Sequence, residues 1–159
     1  MNVLNIHIRK IEVSKATLLP LFATLSKKED RIWPKEKWPS MRFKNGLIIG
    51  AEGGHGPVRY KVLEYDADGY AMFEFLKPKG FVGTHTFQIT EIDENTSVIK
   101  HTISMKTQGF GTFLWIFAIR WLHDALLEDA FDKVENQCIN TKKTTSWSLW
   151  VKILRKVLK

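Results

Sequence analysis

The stretch "GTHTFQITEIDENTSVIKHTISM", residues 83–105, decides the fold class, because it reads as a β-hairpin with a histidine in the apolar face of each arm. Along the first arm His85, Phe87 and Ile89 share one face, and Thr84, Thr86, Gln88 and Thr90 share the other. Along the second arm Ile99, His101, Ile103 and Met105 share a face, and "DENT" supplies the turn. Alternation with period two is the mark of an antiparallel sheet that buries one side.

Upstream, "VRYKVLEY" (58–65) and "YAMFEFLK" (70–77) flank "DADG", a strong hairpin turn. Pairing Tyr65 with Tyr70 sets Val62 opposite Phe73 and Tyr60 opposite Phe75. On the other face the same register brings Lys61 to Glu74, a favourable cross-strand charge pair. Before this hairpin, "GLIIGA" (46–51) reads as a strand leading into a glycine-rich bend, "EGGHG". A phosphate loop needs a helix start after its glycines. Pro57 and a strand follow here, so the glycines predict a bulge that lets the sheet curl. Residues 3–12 alternate, with Leu4, Ile6 and Ile8 on one face, and form a first strand. Ser14 is the N-cap of a short helix over 15–25 that shortens or bends at Pro20. Residues 26–46 hold two Trp-Pro pairs and predict a loop or short helical turns.

Downstream, residues 110–138 are helical. Ile119, His123, Leu126, Leu127, Ala130, Phe131 and Val134 form one stripe, and Asp124, Glu128, Asp132 and Glu135 form the opposite, outer face. The first half, around "FLWIFAI" (113–119), is apolar all round. After "NTKKTTS" comes a last amphipathic helix, "WSLWVKILRKVLK". Its Trp147, Trp150, Val151, Leu154, Val157 and Leu158 recur at helical spacing. Lys152, Arg155, Lys156 and Lys159 fall toward the other side, with Ile153 widening the stripe.

The 159 residues suit one domain with a real core. With 44% hydrophobic and 26% charged residues the chain is globular and not disordered. Its single cysteine, Cys138, forms no internal disulfide and suits a reducing, cytoplasmic compartment. The start "MNVLNIHIRKIEV" lacks the pattern of a signal peptide. The run 113–119 stops at Arg120, too short to cross a bilayer. The net charge of +7 gathers at 27–46 and 142–159 and makes no continuous stripe. No nucleic-acid motif accompanies it, so nucleic acid is not an expected partner.

The order of elements is a strand, short helices, a run of antiparallel strands and one long C-terminal helix. It resembles the START-like, helix-grip superfamily (SRPBCC), which includes polyketide cyclases, aromatase/cyclases and lipid-transfer domains. The segments that carry the resemblance are "VRYKVLEYDADGYAMFEF", "GFVGTHTFQITEIDENTSVIKHTISM" and "WLHDALLEDAFDKVE", within residues 3–138. It implies an α+β fold, a curved antiparallel sheet wrapped around the long helix with two short helices, enclosing a cavity. Residues 1–140 are then a ligand-binding domain and 141–159 a basic amphipathic extension. The superfamily has no universal catalytic motif, so no catalytic residue carries over.

The implied ligand is a hydrophobic or aromatic small molecule or a lipid. The expected lining from the sheet is Tyr60, Val62, Phe73, Phe75, Phe87, Ile103 and Met105, with His85 and His101 as placed polar groups. Ile119 and His123 join them from the helix. Trp33, Trp38 and His55 are expected at the mouth, since loops carry binding residues on a rigid scaffold. Neither a metal nor another cofactor is expected. Backbone spacing separates His85 from His101 by roughly 7–13 Å in either plausible register, and no acid or cysteine shares their face at ligand spacing. Two roles for the histidines stay open. They orient a bound ligand, or they serve as acids and bases in a small cyclase-like enzyme. Trp147, Trp150, Lys152, Leu154, Arg155 and Lys156 predict a contact surface for the tail. Its partner is the protein's own domain, a second copy in a homodimer, or an anionic membrane surface reached from the cytoplasm.

Overall fold

The computed structural model describes residues Met1–Leu158, so Lys159 of the tail lies outside the described residues. The elements run β1 (Asn2–Ile11), α1 (Lys15–Phe22), β2 (Arg42–Phe43), β3 (Glu52–His55), β4 (Val58–Asp66), β5 (Tyr70–Lys77), β6 (Phe81–Asp93) and β7 (Thr96–Thr107). Helical structure follows as α2 (Phe110–Leu114), a π-helical turn (Trp115–Ile119), α3 (Arg120–Ile139) and α4 (Leu149–Val157). One antiparallel sheet has the order β1-β7-β6-β5-β4-β3-β2, and the long helix lies in its grip. This is an α+β, helix-grip architecture.

The two central hairpins follow the alternation of their sequences. In the second, Phe87 pairs with His101 and His85 with Ile103. In the first, Tyr60 pairs with Phe75, Lys61 with Glu74 and Val62 with Phe73, and the Lys61–Glu74 ion pair closes at 3.1 Å. Nearer the turn a shift between Val62 and Glu64 moves the register by one, so Tyr65 meets Ala71 and Asp66 meets Tyr70. A bulge of this kind raises local twist and bends the strand, and alternation alone does not reveal it.

"GLIIGA" is not a strand. Ile48 and Ile49 are exposed in turns, and the glycine-rich segment after them is β3 itself, paired with β4 on one side and β2 on the other. The reason is steric. A Cβ on Gly53 would lie 2.3 Å from the Arg42 carbonyl oxygen and 2.5 Å from the Phe43 ring. The glycines leave room for Phe43 to cross closely over β3, where it stacks on Phe73 and packs at a tilt against Tyr60.

β1 has the opposite phase to the one its apolar residues suggest. Leu4 and Ile8 are 71% and 60% exposed, while Asn5, His7 and Arg9 turn inward. They meet the face of α3 that helical periodicity marks as outer. Arg9 pairs with Glu128 (2.8 Å), Asp132 (3.0 Å) and Glu135, and His7 with Asp124 (3.0 Å) and Glu128 (3.2 Å). The long helix therefore buries two faces. Leu126, Leu127, Ala130, Phe131 and Val134 enter the main core, and its acidic side closes against β1. Burying charge costs free energy unless it is paired and hydrogen-bonded, and three carboxylates around one guanidinium meet that condition.

Candidate functional site

Between the sheet and α3 lies a cavity of about 390 Å³. Its walls come from both hydrophobic clusters of the fold. Tyr60, Leu126 and Leu127 belong to the larger, and Phe81, Ile103 and Trp115 to the smaller. Phe75 packs against both.

Four of the five histidines of the chain line this space: His55 from β3, His85 from β6, His101 from β7 and His123 from α3. The fifth, His7, stands behind His123 with ring centroids 5.6 Å apart. The rings form a continuous series. His55 Nδ1 lies 3.0 Å from the Tyr60 hydroxyl, and Tyr60 meets His85 edge-on at 4.7 Å. His85 Nδ1 lies 3.3 Å from His101 Nε2, and the His101 and His123 centroids are 4.9 Å apart. The backbone separation of the two strand histidines is not the separation of their rings. They are diagonal neighbours, and their side chains lean together.

Burial sets the charge on this wall. Loss of water pushes His55 down to about 3 and holds His85 and His101 well below the ordinary imidazole value. His123 is also lowered by burial, against the partial opposition of Asp124. His7 is the exception. Burial pulls it down, but the carboxylates of Asp124 and Glu128 outweigh that and raise it. The cavity thus has a wall of imidazoles that burial biases to the neutral form, with His7, biased the other way by its carboxylate partners, behind it. Burial raises the Tyr60 hydroxyl, which stays protonated.

Several of these groups lack partners. His85 Nε2, His101 Nδ1 and both nitrogens of His123 are buried without a hydrogen bond. A neutral imidazole has one donor and one acceptor nitrogen. Whichever of His85 and His101 donates to the other, the pair keeps one unused donor and one unused acceptor. His7, His123 and Asp124 each offer a ligand atom within 4.8 Å of one another, so a cation could be held there. Asp124 Oδ1 already accepts from Asn5 and His7, both at 3.0 Å, and a metal would have to displace those bonds.

Of the residues expected in the lining, Tyr60, Phe75, His85, His101, Ile103, Ile119 and His123 border the cavity. Val62, Phe73 and Phe87 also point inward, but they are sealed in the packed core, and Met105 packs in the smaller cluster instead. Inward phase places a side chain under the helix but does not say whether a neighbour covers it. Sequence reasoning passed over His7, hidden by the misread phase of β1, and Trp115 and Phe81, which lie where the helix is apolar all round and just after a turn.

Trp33, Trp38 and His55, expected at the mouth, line the cavity, and both indoles are buried. Trp33 packs against His55 at 4.7 Å and donates to the Pro39 carbonyl at 2.9 Å. The loop that carries Trp33 and Trp38 is bolted to the tail. Buried Asp129 accepts indole N–H bonds from Trp38 and Trp147, each at 2.8 Å, and pairs with the Lys37 ammonium. The Arg155 guanidinium lies 4.4 Å over the Trp38 ring and 5.3 Å from that of Trp147. Ser148 caps α4 by accepting from the Val151 N–H, and Leu154 and Arg155 of that helix border the cavity. Trp147, Leu154 and Arg155 are therefore engaged with their own domain, whereas Trp150, Lys152 and Lys156 are exposed.

No protein-family model matches the sequence, and no curated protein matches it. Solved structures do. The chain is similar to norcoclaurine synthase from Thalictrum flavum, with a TM-score of 0.66 at 11% identity over 89% of this chain and 88% of that one. The same synthase in complex with dopamine and hydroxybenzaldehyde gives 0.59 at 11% identity, over 91% and 90%. The protein XoxI from Bacillus cereus gives 0.61 at 13% identity, over 87% and 96%. The likeness is one of fold. It matches the helix-grip fold seen here and leaves activity to be argued from the cavity.

Proposed function

We propose that this protein binds an aromatic or largely apolar small molecule that carries a hydroxyl or a similar polar group. In this reading residues 1–140 hold the ligand and 141–159 close the cavity over it. The observation that carries the proposal is the pairing of His85 with His101 at 3.3 Å in a largely apolar cavity. Ligand pockets are mostly apolar with a few placed polar groups. A buried polar atom without a partner costs about 1–3 kcal/mol, which a ligand hydroxyl that donates to one imidazole and accepts from another would recover. The volume lies toward the lower end of the roughly 300–1,000 Å³ usual for such pockets, which favours a molecule of two or three rings over a lipid with two acyl chains.

A second reading is catalysis. Neutral imidazoles at the cavity wall are in the protonation state of a general base, and His123 has two unpartnered nitrogens beside Asp124. Binding and catalysis separate in one experiment. Titration with 2-naphthol and with 2-methylnaphthalene, followed by tryptophan fluorescence, measures what the hydroxyl adds. Tighter binding of 2-naphthol, reduced to parity in His101→Phe, supports the proposal. Equal binding of both probes by the unmodified protein would refute it. Native mass spectrometry of protein from its source cells then identifies any retained ligand, and turnover of that ligand decides for the enzyme.

A further inference from the structure

One region of the surface is at odds with a chain that lives wholly in water. From Phe110 to Trp121 the core takes Gly111 and Trp115, while Phe110 (73% exposed), Phe113, Ile116, Phe117 and Trp121 face out. α4 continues this surface. At 100° per residue Val151, Leu154 and Arg155 turn toward the domain, and Leu149, Ile153, Val157 and Trp150 occupy the outer side. Leu149 and Val157 are each 75% exposed. The two parts are joined, since the Trp150 indole donates to the Phe117 carbonyl at 2.9 Å. The Trp121 indole is held likewise by the Ile116 carbonyl at 2.9 Å, and Phe113 stacks along Phe117. Monomers seldom expose contiguous apolar surface on this scale without a partner for it.

Charge selects the partner. Residues 95–123 contain no acid, and neither do residues 136–159. The cations at the border of the patch, Arg120, Lys152 and Lys156, are all exposed, and Arg120 lies 3.8 Å from Asp124. A second copy packed about a two-fold axis would set this patch against itself, bringing the lysines of one α4 toward those of the other. An anionic bilayer satisfies both features, taking the aromatic and aliphatic side chains among its headgroups and pairing the lysines with lipid phosphates and carboxylates. Tryptophans tethered by their N–H groups at the edge of the patch are the residues favoured at that depth. The helical run Phe110–Ile139 is long and apolar enough to span a membrane by composition alone. Its second half is committed to the core and to β1, so this geometry lies on a bilayer and does not cross it.

We infer that α2, the π-helical turn and the outer side of α4 form one docking surface for an anionic lipid bilayer. The surface does not depend on the cavity holding a ligand. Its test is flotation of the full chain with vesicles of phosphatidylcholine alone, and of three parts phosphatidylcholine to one of phosphatidylserine. The expected result is capture by the anionic vesicles, lost at high salt, with a blue shift of tryptophan emission. Lys152→Glu with Lys156→Glu should weaken partitioning by roughly tenfold or more, given the attraction of each cation to an anionic surface. Phe113→Ser with Phe117→Ser should abolish capture, and because both rings are exposed the melting temperature should hold. No capture by either vesicle overturns the inference, and so does equal capture by the neutral one. A concentration-dependent dimer that Phe117→Ser dissociates, with no vesicle binding, overturns it in favour of a second copy.

Discussion

The indole N–H of Trp147 donates to Oδ2 of Asp129, 2.8 Å away and buried, and that bond fastens the tail to the long helix. Trp38 donates to the same oxygen, so one carboxylate holds the loop that carries Trp38, the helix and the tail together. Hydrogen bonds to a charged acceptor contribute about 1.5–3 kcal/mol each. Asp129→Ala should cost about 3 kcal/mol or more, which is roughly 6–12 °C in melting temperature for a domain of this size. Trp147→Phe should cost about half as much. A double-mutant cycle in which the two losses simply add would show that the bond is not the link described.

Acid should unfold this protein early. Four histidines have folded values below the ordinary value of about 6.5 that they regain on unfolding. A group lowered in the folded state contributes stability that is complete above 6.5 and is lost as the pH falls toward its folded value. Each such proton changes stability by about 1.4 kcal/mol per pH unit. His7, raised in the folded state, works in the opposite sense: its contribution grows as the pH falls to about 6.5 and stays constant below that. Thermal melts between pH 7.5 and 4.5 should show the midpoint falling with an uptake of more than one proton. A flat profile across that window would mean that the histidines are solvated.

Arg9 is the counter-ion of Glu128, Asp132 and Glu135. Arg9→Met keeps the length of the side chain and removes the charge. Stranding a buried charge costs about 3–5 kcal/mol, and the loss here should be in that range at neutral pH. Chemical denaturation of variant and wild type at neutral pH measures it.

Gly53→Ala should be as damaging as a large core deletion, although it adds one methyl group. The added carbon would lie 2.3 Å from a backbone oxygen, a distance at which something must move. The expected change is displacement of β2 and Phe43 from the sheet, read as lost protection of the amide protons of β3. An unchanged exchange pattern would mean that β2 is not seated as described.

How much of this was legible in the sequence depends on what each residue's environment repeats. The hairpins 58–77 and 83–105 were readable because two-residue alternation and turn chemistry agree there. They brought with them the inward placement of Tyr60, His85 and His101. β1 was misread because its pattern is honest about polarity and silent about partners. Leu4, Ile6 and Ile8 look like a core face only if nothing charged waits for Arg9 and His7. That partner is the acidic face of α3, more than a hundred residues away, and an acidic helical face read alone looks like solvent. The register shift between Val62 and Glu64 and the close crossing of Phe43 over Gly53 are equally non-local. The all-round apolar segment 113–119 announced itself plainly, and it is the part of the helix that the domain leaves uncovered.

Leu154 and Leu158, within the last five described residues of a tail easily mistaken for an appendage, are part of the cavity wall. The vessel is therefore finished only when the end of the chain is folded onto it. A protein trimmed before Trp147, as is often done to improve solubility or crystals, would present an open trough. Compounds selected on that trough would be ranked for a shape that the chain with its tail in place does not possess.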